Sequence, residues 1–299
     1  PDEHFHHCMN KESLQKYTWS LLVSAGLFML FSAYLFLRRG YYTLYIINKA
    51  FGGVALFLVG VVLLIGPLSR LYQRFDHLVA YRKALGIAAF VFAALHSIAS
   101  FFFLPEKFGP QYFFNDNLVP FLFGLAAFVL FVVLLVLSFR FVAASINSRA
   151  WWQWEYRGVR IAAFLILLHV VVAKYPTWFK WFNAGGSEEL SRPFMPPASL
   201  IFGSFGVFVL LVRLGECLGT YVARRVTPLL FLLLLSFWIG SYALGKTKTP
   251  TALPLQWKTC VKLPGSIIQE SYPPTCVGPD GRSVTEPLPS EPIGADTQR

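Results

Sequence analysis

Seven runs of about 17 to 25 apolar residues, each nearly free of charge, set the terms for everything else in this chain. A helix rises about 1.5 Å per residue, so runs of this length cross a hydrocarbon core roughly 30 Å thick. Spans are expected near 17–37, 47–68, 84–104, 118–139, 157–174, 199–222 and 227–245. The second is expected to end at Gly66-Pro67 and the fifth before Pro176, because proline interrupts a helical ladder. Of the 299 residues 56% are hydrophobic and 14% charged, and the mean hydropathy is +0.55, which excludes a water-soluble globule. The expected fold is an all-α polytopic transmembrane helical bundle of about seven spans with a short disulfide-stapled C-terminal tail. Residues 1–16 form a cytoplasmic N-terminal segment, 17–245 the bundle and 246–299 an extracytoplasmic tail.

The formal charge of +11 would suggest a polyanion partner in a soluble protein. Here the basic residues gather in short connections between apolar runs, so they report topology and no nucleic-acid partner is expected. Arg70, Arg74, Arg82 and Lys83 follow the second span, Arg140, Arg149 and Arg157 the fourth, and Arg224 and Arg225 the sixth, with Arg213 nearby. These three connections are assigned to the cytoplasm, with the N-terminus inside and the C-terminus outside. Arg38, Arg39 and Lys49, and also Lys174, Lys180 and Arg192, run against that bias. No glycine-rich phosphate loop follows a strand-like segment, so any soluble redox partner is a separate chain.

Cysteines and histidines concentrate at the ends and in two spans. The first eight residues hold His4, His6, His7 and Cys8, but a short terminal segment supplies no second shell for a metal, and Met9 is a candidate initiator. Cys260 and Cys276 enclose 15 residues on the expected outer side, where a disulfide persists and would stabilise a small hairpin by about 3 kcal/mol. Cys217, near the inner end of the sixth span, reads as a buried thiol. Arg213 and Glu216 are spaced to pair across one helical turn.

His96 and His169 are the two histidines inside spans, where an ionisable side chain is a functional candidate by default. His96 follows Lys83 by 13 residues and His169 follows Arg157 by 12. Both therefore lie about 18–20 Å from the cytoplasmic edge, at one level on two parallel helices. Such a pair can hold both axial positions of a haem iron. Ala89, Ala93 and Ser100 share the His96 face and Ala162 and Ala173 the His169 face, small residues that leave room for a flat macrocycle and that also suit plain helix packing.

The stretches GGVALFLVGVVLLIGPLSRLYQ, YRKALGIAAFVFAALHSIAS and WQWEYRGVRIAAFLILLHVVVAKYPTW resemble the ferric reductase-like transmembrane domain superfamily. Within it the likeness is to the haem-binding membrane subunits of periplasmic methionine-sulfoxide reductase systems. It covers roughly residues 48–180 and rests on the G-P-L-x-R end of the second span and the L-H of the third and fifth. It implies haem b, iron ligated by His96 and His169, electron transport within an oxidoreductase system, and a bacterial inner membrane. The family often carries a further histidine where this chain has Tyr156, and Lys83 stands at the matching place before His96, so the resemblance supports a single outer haem.

A haem at that depth faces an extracytoplasmic acceptor protein and stands far from a cytosolic donor. An intermediate carrier is then required, a quinone or a flavin near Arg70, Arg74, Arg82 and Lys83. Trp151, Trp152, Trp154 and Tyr156 are read as an interfacial belt in preference to the lining of that site. The alternative from another class is a non-redox membrane scaffold or assembly protein that keeps the fold without haem. Transport is weaker still, since no paired, broken spans suggest inverted repeats.

Overall fold

The structure is a computed structural model that describes residues 11–186, 190–248 and 257–286, apart from 262, 264, 271, 272 and 280. The histidines and cysteine of the first eight residues lie outside the described residues. Among the described residues seven helical segments are long and apolar enough to span a membrane, as the hydropathy requires. They belong to helices α1 (Lys11–Arg39), α2 (Leu44–Leu71), α3 (Arg82–Ile98), α4 (Leu118–Leu137), α6 (Ser148–Ala184), α7 (Ala198–Cys217) and α8 (Thr220–Thr247), with a short α5 (Arg140–Ser145) between α4 and α6.

Helix α2 is the most enclosed span and packs against α1, α3, α6 and α7, while α4 lies along α6. Its glycines make the close approach possible: a Cβ at Gly60 would meet Phe205, and one at Gly53 would meet Phe202. The main core gathers Val54, Leu58 and Val62 of α2 with Leu85 of α3, Ala162 of α6 and Val209 of α7. Ala89 and Ala162, which share faces with the histidines, are themselves part of this core, at 1% and 0% exposure. Their small size is therefore used for helix contact.

Several span ends differ from expectation. α2 continues through Pro67 to Leu71 and α6 through Pro176 to Ala184. One proline removes one ladder bond, whereas ending a helix in apolar surroundings strands several backbone groups, so continuation costs less. α7 stops earlier than expected, at Cys217, and the chain turns at Gly219, whose φ of 103° suits glycine, before α8 begins at Thr220. Cys217 is exposed there and is not the buried thiol that the sequence suggests. α3 is preceded by a 3-10 stretch, Gln73–Tyr81, and runs into a π-helical turn, Ala99–Phe103, that begins three residues after His96.

The chain from Thr251 onward forms a separate unit. Its described part holds a four-residue helix α9 (Trp257–Cys260) and a three-stranded antiparallel sheet, β1 (Ile267–Gln269), β2 (Thr275–Val277) and β3 (Ser283–Thr285), in the order β1-β2-β3. Cys260 and Cys276 are joined in a disulfide, both fully buried, and Cys276 pairs with Ile268 and Val284 in the sheet. The expected hairpin is thus one half of a slightly larger sheet.

Candidate functional site: two histidines in matched settings

His96 and His169 sit near the same end of the bundle. The contact partner of His96 is Asn48, the fifth residue of α2, and that of His169 is Pro120, the third residue of α4. One span separates α2 from α4, so both helices start on the same side, and both rings contact residues near those starts. The two imidazoles are also near enough to interact electrostatically.

Each ring is held in the same way. Nδ1 of His96 donates to the Asn48 backbone carbonyl at 3.0 Å and to Asn48 Oδ1 at 2.8 Å, and Nδ1 of His169 donates to the Pro120 carbonyl at 2.7 Å. A carbonyl oxygen has no proton to give, so Nδ1 carries the hydrogen in both rings, and in the neutral form of each ring Nε2 keeps its lone pair. Among the described residues nothing hydrogen-bonds either Nε2.

Four residues after each acceptor carbonyl comes a glycine that makes room for the ring. A Cβ on Gly52 would stand 3.3 Å from Nδ1 of His96, and one on Gly124 would stand 2.8 Å from Nδ1 of His169. The motif is therefore a carbonyl and a glycine one turn apart, on α2 for one histidine and on α4 for the other.

His96 has a further support. Fully buried Asn48 donates from Nδ2 to Ser100 Oγ at 2.9 Å, and that hydroxyl donates to the His96 carbonyl at 2.8 Å. The loop of contacts closes where the helix widens into its π-helical turn, a local irregularity often found at functional sites. Nδ1 of His96 and both polar atoms of the Asn48 amide thus have partners, as low-dielectric surroundings demand.

The chemistry available is that of two neutral imidazoles presenting basic Nε2 atoms between helices. That donor set suits the axial positions of a haem iron, and hydrogen-bonded Nδ1 groups are what orient and strengthen imidazole ligands. No group of three or more His, Cys, Asp or Glu side chains gathers among the described residues, so a cofactor that brings its own equatorial ligands is what two histidines can hold.

The family description "Ferric reductase like transmembrane component" matches residues 51–156, which include Gly52, His96, Pro120 and Gly124. The heme-binding subunit MsrQ of a protein-methionine-sulfoxide reductase from Herminiimonas arsenicoxydans is 30% identical over 169 residues, covering 56% of this chain and 69% of that protein. The chain belongs to the ferric reductase-like transmembrane family. As a member of that family it is an integral membrane protein of the haem and electron-transport class.

The basic residues that follow the second span separate in this family member. Arg70 pairs with Glu216 from α7, which also takes Arg213 at 3.0 Å, so the expected one-turn pair is part of a three-residue cluster joining α2 to α7. Arg74 stacks over Phe75, 4.8 Å from the ring centroid. Arg82 and Lys83 instead line a cavity of about 300 Å³ with Glu155, Ser138, Ala89, Phe90 and Phe131, at the end opposite the histidines. Lys83 Nζ also donates to the Ser138 carbonyl at 2.8 Å, across to the end of α4.

Trp152, Trp154 and Tyr156 are exposed, and Arg160 lies over the Tyr156 ring. The belt reading of these aromatics fits that exposure, while Glu155 and Val159 are the residues of this turn that reach the cavity.

Proposed function

We propose that the protein is a membrane electron-transfer subunit that holds one haem b between His96 and His169 and passes electrons to an extracytoplasmic acceptor protein. The observation that carries the reading is the matched pair of imidazole settings, each with Nδ1–H committed to a backbone carbonyl and Nε2 left basic. The heme-binding role in the name of the Herminiimonas relative supports the same cofactor, and its description as a reductase subunit supports a separate catalytic partner chain.

In this reading Nε2 of His96 and Nε2 of His169 would hold the haem iron. Asn48, Ser100 and Pro120 fix the ring orientations, and Gly52 and Gly124 keep the rings close to their carbonyls. When bound, haem supplies reversible one-electron exchange at iron. The helices around the histidines contribute an apolar setting that excludes water and so helps set the potential.

Electrons from the cytoplasmic side need an intermediate carrier. The cavity lined by Arg82 and Lys83 is a place for it, since Ala89 in its wall lies seven residues, about 10 Å of helix, before His96. Its volume stands at the lower end for ligand pockets, which suits a quinone headgroup better than a flavin. The basic connections support a cytoplasmic N-terminus and an extracytoplasmic C-terminus, the likeness to the Herminiimonas subunit supports a bacterial inner membrane, and the Cys260–Cys276 bridge accords with an oxidising compartment for the tail.

A reduced-minus-oxidised visible spectrum of the purified protein tests the cofactor directly. A spectrum of low-spin, bis-imidazole haem is expected, and a colourless protein would favour the scaffold alternative. Asn48→Leu removes the side-chain acceptor but leaves the backbone one, so haem affinity is expected to fall about 10- to 100-fold without being abolished. Haem titration of the variant checks this, and unchanged affinity would remove Asn48 from the supporting network.

A further inference from the structure

The end of the bundle that holds the histidines carries positive charge that topology does not explain. Arg38, Arg39, Lys107 and Lys174 all lie within electrostatic reach of Lys49. The two ion pairs among the described residues, Arg70–Glu216 and Arg213–Glu216, are at the opposite end. Part of the cluster has structural work: Arg38 Nε donates to the Met195 carbonyl at 3.0 Å and Arg39 donates to the Tyr41 hydroxyl at 2.8 Å. Lys107 is exposed.

Lys49 and Lys174 are different. Both are half-buried within spans, and among the described residues neither has a hydrogen-bond or ion-pair partner, although Lys49 Nζ lies 4.1 Å from the Tyr45 ring centroid. A cation at such depth without an anion is costly, and basic residues on an outer face oppose the usual charge asymmetry. An anion that the chain itself does not supply would relieve both.

Their positions point to which anion. Lys49 directly follows Asn48, the residue that holds His96, and Lys174 lies five residues past His169, about 7.5 Å along the helix. Lys174 is within electrostatic reach of both imidazoles. Lys174 is thus near both imidazoles and Lys49 is near Lys174, two cations grouped beside the pair of rings, and a haem bears two carboxylates on one edge.

We propose that Lys49 and Lys174 bind the two propionate carboxylates of the haem held by His96 and His169. The inference rests on the haem reading above. It explains why α2 and α6 keep lysines that run against the orientation bias: they are counter-ions of the cofactor and not markers of sidedness.

The test compares hemin with hemin dimethyl ester, which lacks free carboxylates, by titrating both into the full-length protein stripped of haem. The wild type is expected to bind hemin at least about tenfold more tightly, as two charge-assisted contacts warrant. Lys49→Gln with Lys174→Gln should bring that ratio close to one, and the Lys→Arg pair should keep it. Equal binding of the two porphyrins by the wild type overturns the proposal without substitution, so misfolding cannot hide the answer. A preference that survives the glutamine pair also overturns it and assigns the lysines to another anion, such as a lipid headgroup or an acidic protein surface. Both failures leave the bis-imidazole spectrum in place. Failure of the wild type to give that spectrum with either porphyrin instead removes the haem reading and this inference with it.

Discussion

Replacing His96 or His169 by alanine is expected to abolish haem retention while leaving the protein in the membrane. Each change removes one of two axial ligands, and a single remaining imidazole cannot complete low-spin coordination. The packing cost is small beside the ligand loss, because both rings are only partly buried and neither belongs to the main hydrophobic core. The membrane-spanning helices draw their stability from contacts such as Val54, Leu58 and Val209, which these substitutions leave alone. His77→Ala serves as the control, since His77 is exposed in the 3-10 stretch before α3. The measurement is haem per protein after purification, alongside membrane yield. Haem content equal to wild type in either variant would reject the proposed ligation, and a parallel loss in His77→Ala would trace the effect to general instability.

The spans and the two histidines were legible in the sequence because each depends on local composition. Hydropathy over some twenty residues reports a span whatever its neighbours do, and a histidine in such a run stands out on its own. The settings of the histidines were not legible, because their partners lie on other helices. Asn48 and Pro120 are 48 and 49 residues away from the rings they hold. A usable signal did exist: N-x-x-x-G at 48–52 and P-x-x-x-G at 120–124 place a glycine one turn after the acceptor in both cases. Arg213 and Glu216 were readable as a local pair for the same reason that Arg70, separated from Glu216 by 146 residues, was not. The prolines misled on span ends because sequence rules weigh the lost ladder bond and not the cost of ending a helix in apolar surroundings.

An impermeant oxidant offered to sealed, oriented vesicles is expected to reoxidise the haem faster from the extracytoplasmic side than from the cytoplasmic side. The argument joins two independent steps. Within the fold, His96 and His169 contact the first turns of α2 and α4, so both stand nearer the end at which those helices begin. Arg82 and Lys83, seven and six residues of α3 beyond Ala89 on the way from His96, mark the opposite end together with Glu155 of α6. The second step is the proposed sidedness, in which Arg70, Arg74, Arg82 and Lys83, together with Arg224 and Arg225, favour the cytoplasm for that opposite end. The lysines near the histidines would weaken this assignment if they were topological markers, but as partners of carboxylates they carry no orientation. Faster reoxidation from the cytoplasmic side would therefore reject the orientation while leaving the ligand pair intact, because the first step depends on contacts inside the bundle and the second on the membrane around it.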